Sequence, residues 1–338
     1  MLKADFCVVV PAFNEEDVII RSLRSLKETV PNRDIYVVSD GSSDLTAKLA
    51  RAEKVNVMDL KQNVGKAVAL KKLIKSQSLF SRYKYIFFFD ADSKLSNNFV
   101  SEIQKYIDQN PALIVGTVTS DKHGLISAYR TYEYGLSHRI YKKAQSKIGA
   151  ITVAPGCASL YHSNILSQLS FENHTLTEDM DLTLQIHYQN SGKIIFASKA
   201  RVITQDPQNF NDYWKQVLRW NTGMWQNFFL HQSYKLNRKI NFELYIMIAD
   251  SIIWTAFFIF FLFHLNFLVI TMAFNWLIII LIGLLIIFLE RKWWITKYLI
   301  FFPIFPIINL VAFNASFFRF LINRGQTLAW QKVKRYSS

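Results

Sequence analysis

Along residues 5–120, short apolar runs alternate with mixed stretches about ten residues long. "FCVVVP", "IYVVSD", "VNVMDL", "YIFFFD" and "LIVGTV" read as strands, because continuous apolar runs rich in aromatic and β-branched residues suit strands covered on both faces. The segments between them, 16–28, 43–52, 64–76 and 97–109, read as helices. This alternation predicts an α/β domain on a parallel sheet, with ligand chemistry beyond the carboxyl ends of the strands. The pattern changes after about Lys239. From Glu243 to Ile322 charge almost vanishes apart from a cluster at Glu290, Arg291 and Lys292, and the stretches 244–264, 267–289 and 298–322 each reach the ~20 apolar residues that cross a bilayer.

The expected organisation is a globular domain over 1–210, an amphipathic interfacial segment over 211–240, a membrane region over 241–324 and a basic tail over 325–338. Pro303 and Pro306 leave the number of spans at two or three, since they can break the last stretch into a re-entrant or interfacial segment. The basic tail, together with Arg291, Lys292 and Lys297, is expected on the cytoplasmic side. The amino terminus runs directly into the first strand with no cleavable apolar leader, so the globular half is expected in the cytoplasm, on a multi-pass protein of the cell membrane.

Composition sharpens this in two places. The 338 residues carry a net charge of +14, yet no Cys/His finger or RNA-binding signature accompanies it. Anionic lipid and an anionic substrate explain the charge better than nucleic acid, which is not expected as a partner. The two cysteines, Cys7 and Cys157, cannot build a disulfide framework and sit in apolar surroundings that suit buried thiols.

The chemistry-bearing residues cluster after strands. Asn14, Glu15 and Glu16 follow the first strand, Asp40 ends the second, and Asp90 and Asp92 end the fourth. On an extended chain the side chains at i and i+2 point the same way, so Asp90 and Asp92 would face one spot. Neither a dinucleotide-binding nor a nucleotide-triphosphatase glycine loop is present, and carboxylates repel phosphates unless a divalent cation stands between them. A D-x-D pair therefore suits a diphosphate bridged by Mg²⁺ or Mn²⁺, while the alternative is a plain Asp turn.

In "HTLTEDMDLTLQIHY", Thr177 reads as a helix N-cap and Glu178, Asp179 and Asp181 as its acidic first turn, with Leu182 and Ile186 on an apolar stripe. Asp179 is the candidate general base, or else only part of a charged helix start; the helix terminus lowers its pKa and neighbouring acids raise it. In "YWKQVLRWNTGMW", Gln216, Arg219 and Trp220 stand at i, i+3 and i+4 and share a helix face, offering an amide, a guanidinium and an indole. An interfacial amphipathic helix is the alternative there, with Trp214, Trp225, Phe228 and Phe229 at the membrane.

"PAFNEE" at 11–16, "DGSSD" at 40–44, "NVGKA" at 63–67, "DADS" at 90–93, "TED" at 177–179 and "QVLRW" at 216–220 together resemble the family 2 glycosyltransferases. The resemblance is to the branch with D, D-x-D, T-E-D and Q-x-x-R-W motifs, which includes cellulose, hyaluronan and poly-N-acetylglucosamine synthases. It implies a GT-A, Rossmann-like catalytic domain followed by transmembrane helices, and a metal-dependent inverting hexosyl or N-acetylhexosaminyl transfer from a UDP-sugar, with N-acetylglucosamine as the first guess. It implies donor contacts from Pro11, Asn14, Glu15, Asp40, Lys66 and Asp90, metal contacts from Asp90 and Asp92, and Asp179 as base. Glu178, Gln216, Arg219 and Trp220 would serve the diphosphate and acceptor. The acceptor is a growing polysaccharide, or a lipid that takes one sugar, and a membrane-protein partner or a second copy is compatible with either. Polymer-secreting relatives generally have membrane helices before the catalytic domain too, and none is expected here. A non-catalytic basic membrane module is the reading from another class.

Overall fold

The structure, a computed structural model, describes residues 5–121, 124–172, 175–231 and 237–323. The basic tail expected over 325–338 lies outside the described residues.

Among the described residues eight strands form one sheet: β1 (Phe6–Ala12), β2 (Ile35–Asp40), β3 (Asn56–Leu60), β4 (Tyr85–Phe88), β5 (Lys94–Leu95), β6 (Leu113–Ser120), β7 (Ser159–His162) and β8 (Ile194–Thr204). Helices α1 (Ile19–Lys27), α2 (Thr46–Ala52), α3 (Lys66–Ser76), α4 (Leu79–Arg82), α5 (Phe99–Ile107), α6 (Gly124–Leu136), α7 (Lys142–Ile148), α8 (Ser163–Leu166) and α9 (Glu178–Tyr188) surround it. The sheet order is β3-β2-β1-β4-β7-β6-β8-β5.

Strands β3, β2, β1 and β4 are parallel, as expected, but the sheet as a whole is mixed. β7 runs antiparallel to both β4 and β6, and β5 runs antiparallel to β8. The physical reason is a short return strand: after α7 the chain re-enters the sheet between β4 and β6, pairing Phe87 with Leu160 and Ile114 with the same Leu160. Successive residues of the central strands alternate between two cores. Val8, Val10, Phe87 and Phe89 pack with α1 and α5 on one face, and Cys7, Val9, Ile86 and Phe88 pack with α3 and α9 on the other. Each such side chain contributes about 1.5–3 kcal/mol on burial. Both cysteines are buried and free, as the sequence suggests.

Helix α10 (Phe210–Leu230) follows, then α11 (Arg238–Leu262), α12 (Leu265–Glu290), a 3₁₀ segment over Trp293–Phe301, and α13 (Ile304–Ile322). Three of these are long and apolar enough to cross a membrane: Arg238–Phe261, Leu265–Glu290 and Ile304–Ile322, with mean hydropathy 2.0, 2.8 and 1.6. The chain breaks at Pro303, which caps α13, so the stretch 298–322 is not one continuous helix. Ile295, Leu299 and Phe302 of the 3₁₀ region are buried against Tyr129 and Tyr132 of α6. Trp225 is also withdrawn from lipid: it lies in the seam between α10 and α13, its ring centre 5.1 Å from that of Phe313.

Candidate active site

Two loops stitched to each other form one wall. Asn14, in the left-handed region at φ 53°, accepts from the Ser43 amide through Oδ1 at 2.8 Å and donates its own amide to Ser42 Oγ at 3.1 Å. The Glu15 amide donates to Thr46 Oγ1 at 2.7 Å. Pro11 lies in β1 opposite Val38. These bonds tie "PAFNEE" to "DGSSD" and to the start of α2. Asp40 works in the same way: its two carboxylate oxygens accept from the Val64 and Gly65 amides at 2.8 and 2.9 Å, which fixes the loop that starts α3. Burial raises its pKa, and those two amides pull it back.

That loop delivers Lys66. Its Nζ stands 2.8 Å from Asp90 Oδ1 and 2.8 Å from Glu178 Oε1, joining the end of the fourth strand to the first turn of α9. Burial disfavours its charge, but Asp90 and Glu178 outweigh burial and hold the ammonium well above its ordinary pKa. A lysine at a helix start has an easy structural reading; this one bridges two of the expected site carboxylates.

Asp90 to Ser93 is a turn, closed by the Ser93 amide on the Asp90 carbonyl at 3.1 Å. The extended i, i+2 geometry expected for Asp90 and Asp92 is therefore replaced by a turn, since β4 ends at Phe88. Asp92 is buried, and its Oδ1 accepts from Ser93 Oγ at 3.2 Å. Both carboxylates act on the buried Cys157, whose thiol burial pushes far up and whose pKa Asp90, Asp92 and Asp179 raise further.

Asp179 sits on the floor. Oδ2 accepts from the Gly156 amide at 3.2 Å and Oδ1 from its neighbour Met180 at 2.9 Å. Burial, with Glu178 beside it, pushes Asp179 up to about 6, against the opposite pull of Lys66, the Met180 amide and Arg219. Burial is the contribution that a helix-terminus reading leaves out. Thr177 occupies the N-cap position without capping: its Oγ1 accepts from Asn227 Nδ2 at 2.9 Å.

The face of α10 expected to carry Gln216, Arg219 and Trp220 does converge here, through a residue sequence reasoning passed over. Arg130, 1% exposed, donates to Gln216 Oε1 at 2.7 Å and lies over the rings of Trp220 and Tyr213 at 4.5 and 4.6 Å. It also pairs with Glu133, and its charge bears on buried Asp206, which burial lifts to about 7. Nothing in sequence joins residue 130 to residue 216, 86 positions apart.

Two glycines were also missed, and each permits a close approach. A Cβ on Gly156 would stand 3.0 Å from Lys66 Nζ and 3.5 Å from Glu178 Oε1, and one on Gly223 would fall 2.4 Å from Thr177 Oγ1. The Pro155-Gly156 dipeptide was a visible turn signal; Gly223, inside a helical pattern, was a visible packing signal.

Among the described residues no group of three or more His, Cys, Asp or Glu could hold a metal by itself. Asp90 and Asp92 nevertheless fit a hard divalent cation whose shell is completed by phosphate oxygens, because their donors are all oxygen. The Lys66 ammonium already holds positive charge beside Asp90.

The glycosyl transferase family 2 model matches residues 7–170. The chain is similar to poly-beta-1,6-N-acetyl-D-glucosamine synthase of Staphylococcus epidermidis, 28% identical over 274 residues that cover 78% of this chain and 65% of that protein. It is similar to the synthase of the same name from Staphylococcus aureus, 27% identical over 256 residues that cover 72% of this chain and 60% of that one. The match thus spans less than two thirds of the length of these relatives. Among solved structures the chain is similar to the mannosyltransferase of Pyrobaculum calidifontis in complex with GDP-Man and Mn²⁺, with TM-score 0.58 and 16% identity over 92% of this chain and 86% of that one. That likeness is one of fold: the catalytic domain is the expected Rossmann-like GT-A type.

Proposed function

We propose, from the match of residues 7–170 to the glycosyl transferase family 2 model, that the chain is a membrane-bound inverting transferase of that family that moves a sugar, N-acetylglucosamine by preference, from a UDP-sugar to a growing β-linked polysaccharide. The observation that supports this most is Asp179: a buried carboxyl with a pKa of about 6, next to the Lys66 bridge between Asp90 and Glu178. A base poised near neutrality is what deprotonation of an attacking hydroxyl requires. The names of the two staphylococcal relatives support the sugar and the polymer.

In the proposed reaction Asp179 takes the proton of the acceptor hydroxyl as its oxygen bonds to the anomeric carbon and the bond to UDP breaks, so configuration inverts in one displacement. Asp40 keeps the "NVGKA" loop in place for the nucleotide, and Lys66 and Arg219 supply positive charge toward the diphosphate. Asp90 and Asp92 would hold Mg²⁺ or Mn²⁺, which when bound stabilises the charge on the departing diphosphate. Gln216 and Trp220 present the acceptor end, held by Arg130.

The proposed placement puts the catalytic domain in the cytoplasm with α11 and α12 crossing the membrane and α13 lying at its surface. Helix α13 follows α10 along its length: Tyr213 donates to Asn309 at 2.8 Å, Trp225 packs on Phe317 at 4.8 Å, and Phe229 stacks on Phe320 at 5.0 Å. Helix α10 is itself tied to the catalytic domain near both ends, through Gln216 to Arg130 and through Asn227 to Thr177. Ile304, Ile307, Val311 and Phe318 leave one exposed apolar stripe for lipid.

The test is metal-linked nucleotide binding. UDP should raise the melting temperature of the purified protein only when Mg²⁺ or Mn²⁺ is supplied, because a ligand of the folded state stabilises it. Equal stabilisation in chelator would remove the cation from the proposal.

A further inference from the structure

A cavity of about 230 Å³ opens away from the acidic centre, between β6, β8, the end of α6 and the carboxyl end of α12. None of the candidate active-site residues lines it. Its charge is one-sided: Arg139, Lys143, Lys199 and Arg201 line it, against the single carboxylate of Glu290. His138 adds no charge, since burial, with Lys142 nearby, drops its pKa to about 3. Arg139 reaches the cavity from a π-helical turn, Ser137–Tyr141, an insertion that re-aims side chains and recurs at functional sites.

The two guanidiniums are anchored rather than mobile. Arg139 Nε donates to Glu290 Oε1 at 2.6 Å and its Nη2 to the Leu289 carbonyl at 3.2 Å, while Arg201 Nη1 stands 3.3 Å from Glu290 Oε2. One carboxylate thus orients two planar forks, and Lys143 and Lys199 bring two further cations from exposed positions. Hydroxyls of Thr117, Thr119 and Ser198 complete the lining. Guanidinium forks with ammonium and hydroxyl donors are the chemistry that recognises phosphate. The volume is that of about eight waters, ample for a phosphate group. Glu290 is the last residue of a candidate membrane span, which sets the cavity at headgroup depth.

We propose that this cavity is a binding site for a phosphate-bearing anion, distinct from the donor site, at the junction of the catalytic domain and α12. The same chemistry is offered by an anionic phospholipid headgroup and by a soluble phosphate ester, and the experiment separates them. The full chain is melted in nanodiscs of phosphatidylcholine with and without one-third phosphatidylglycerol, and separately in neutral detergent with and without glycerol phosphate. Native mass spectrometry of the extracted protein counts retained phosphatidylglycerol. The variant is Lys143→Gln/Lys199→Gln, which leaves the Arg139–Glu290–Arg201 clasp in place, and the control is Lys48→Gln/Lys75→Gln on exposed positions of α2 and α3.

Stabilisation and retention by phosphatidylglycerol alone, weakened about tenfold in the cavity variant but not in the control, support the site with a headgroup as its occupant. Stabilisation by glycerol phosphate in detergent, lost in the same variant only, supports it with a soluble ester. No response to either anion, or equal losses in the cavity and control variants, overturns the proposal. No readout needs transferase activity, so failure of this site and failure of the proposed reaction remain distinguishable.

Discussion

Gly223→Ala probes the seam between α10 and the "TED" segment. The added Cβ would lie 2.4 Å from Thr177 Oγ1 and 2.9 Å from Thr177 Cβ, so the two backbones must part by about 1 Å to restore van der Waals contact at 3.5 Å or more. Gln216, Arg219 and Trp220 are on the same rigid helix one to two turns away and move with it, as does the Asn227 bond to the Thr177 carbonyl at 3.2 Å. A misplacement of about 1 Å at catalytic groups costs on the order of 10²-fold in rate. Stability moves much less: overpacking costs about 1–3 kcal/mol, and replacing a mid-helix glycine by alanine returns about 1 kcal/mol. Transfer of label from a nucleotide sugar by purified membranes, with a melting curve on the same preparation, reads both. The expected variant is folded and about 10²-fold slower. Wild-type activity in a folded Gly223→Ala protein would refute the reasoning, because the seam would then not set the geometry of the site.

Three further outcomes follow from the same structure. With Asp179 at about 6, the acid limb of the pH–rate profile falls tenfold per pH unit below about pH 6, because only the carboxylate accepts the proton, and Glu178→Gln moves that limb to lower pH by removing a neighbour that raises Asp179. Arg130→Ala leaves Glu133 and Asp206 without their buried cation and costs about 3–5 kcal/mol in a denaturant melt, whereas Arg130→Lys recovers folding better than it recovers transfer, since an ammonium cannot reproduce the fork that holds Gln216 while covering Trp220. Ser337→Cys, in a chain whose two native cysteines are buried, reacts with a membrane-impermeant reagent only after lysis if α13 lies at the surface; labelling in intact cells would make α13 a third span.

What the sequence made legible follows from range. Strands β1, β2 and β4 announce themselves because both faces are covered and their apolar runs are continuous, and the three candidate membrane spans announce themselves by length and hydropathy. β7 does not: four residues, "SLYH", paired between strands that come from residues 85–88 and 113–115, carry no local pattern that says antiparallel. The motif residues were visible as charges at strand ends, but their partners were not. Lys66 finds Glu178 112 positions away in the chain, and Arg130 reaches from α6 to Gln216 of α10, a side-chain contact that only the tertiary fold creates. The direction of the Asp179 shift was open for the same reason, since burial is a property of everything that surrounds the group.

The measurement that tests the central claim most directly compares wild type with Asp179→Asn in purified membranes given a panel of radiolabelled nucleotide sugars, with the product sized and UDP binding measured in parallel. The account predicts transfer from a UDP-sugar into a large product by wild type, a loss of about 10²–10⁴-fold in Asp179→Asn, and UDP binding retained by the variant. Near wild-type transfer by Asp179→Asn would contradict it, reducing "TED" to a charged helix start and moving the base elsewhere.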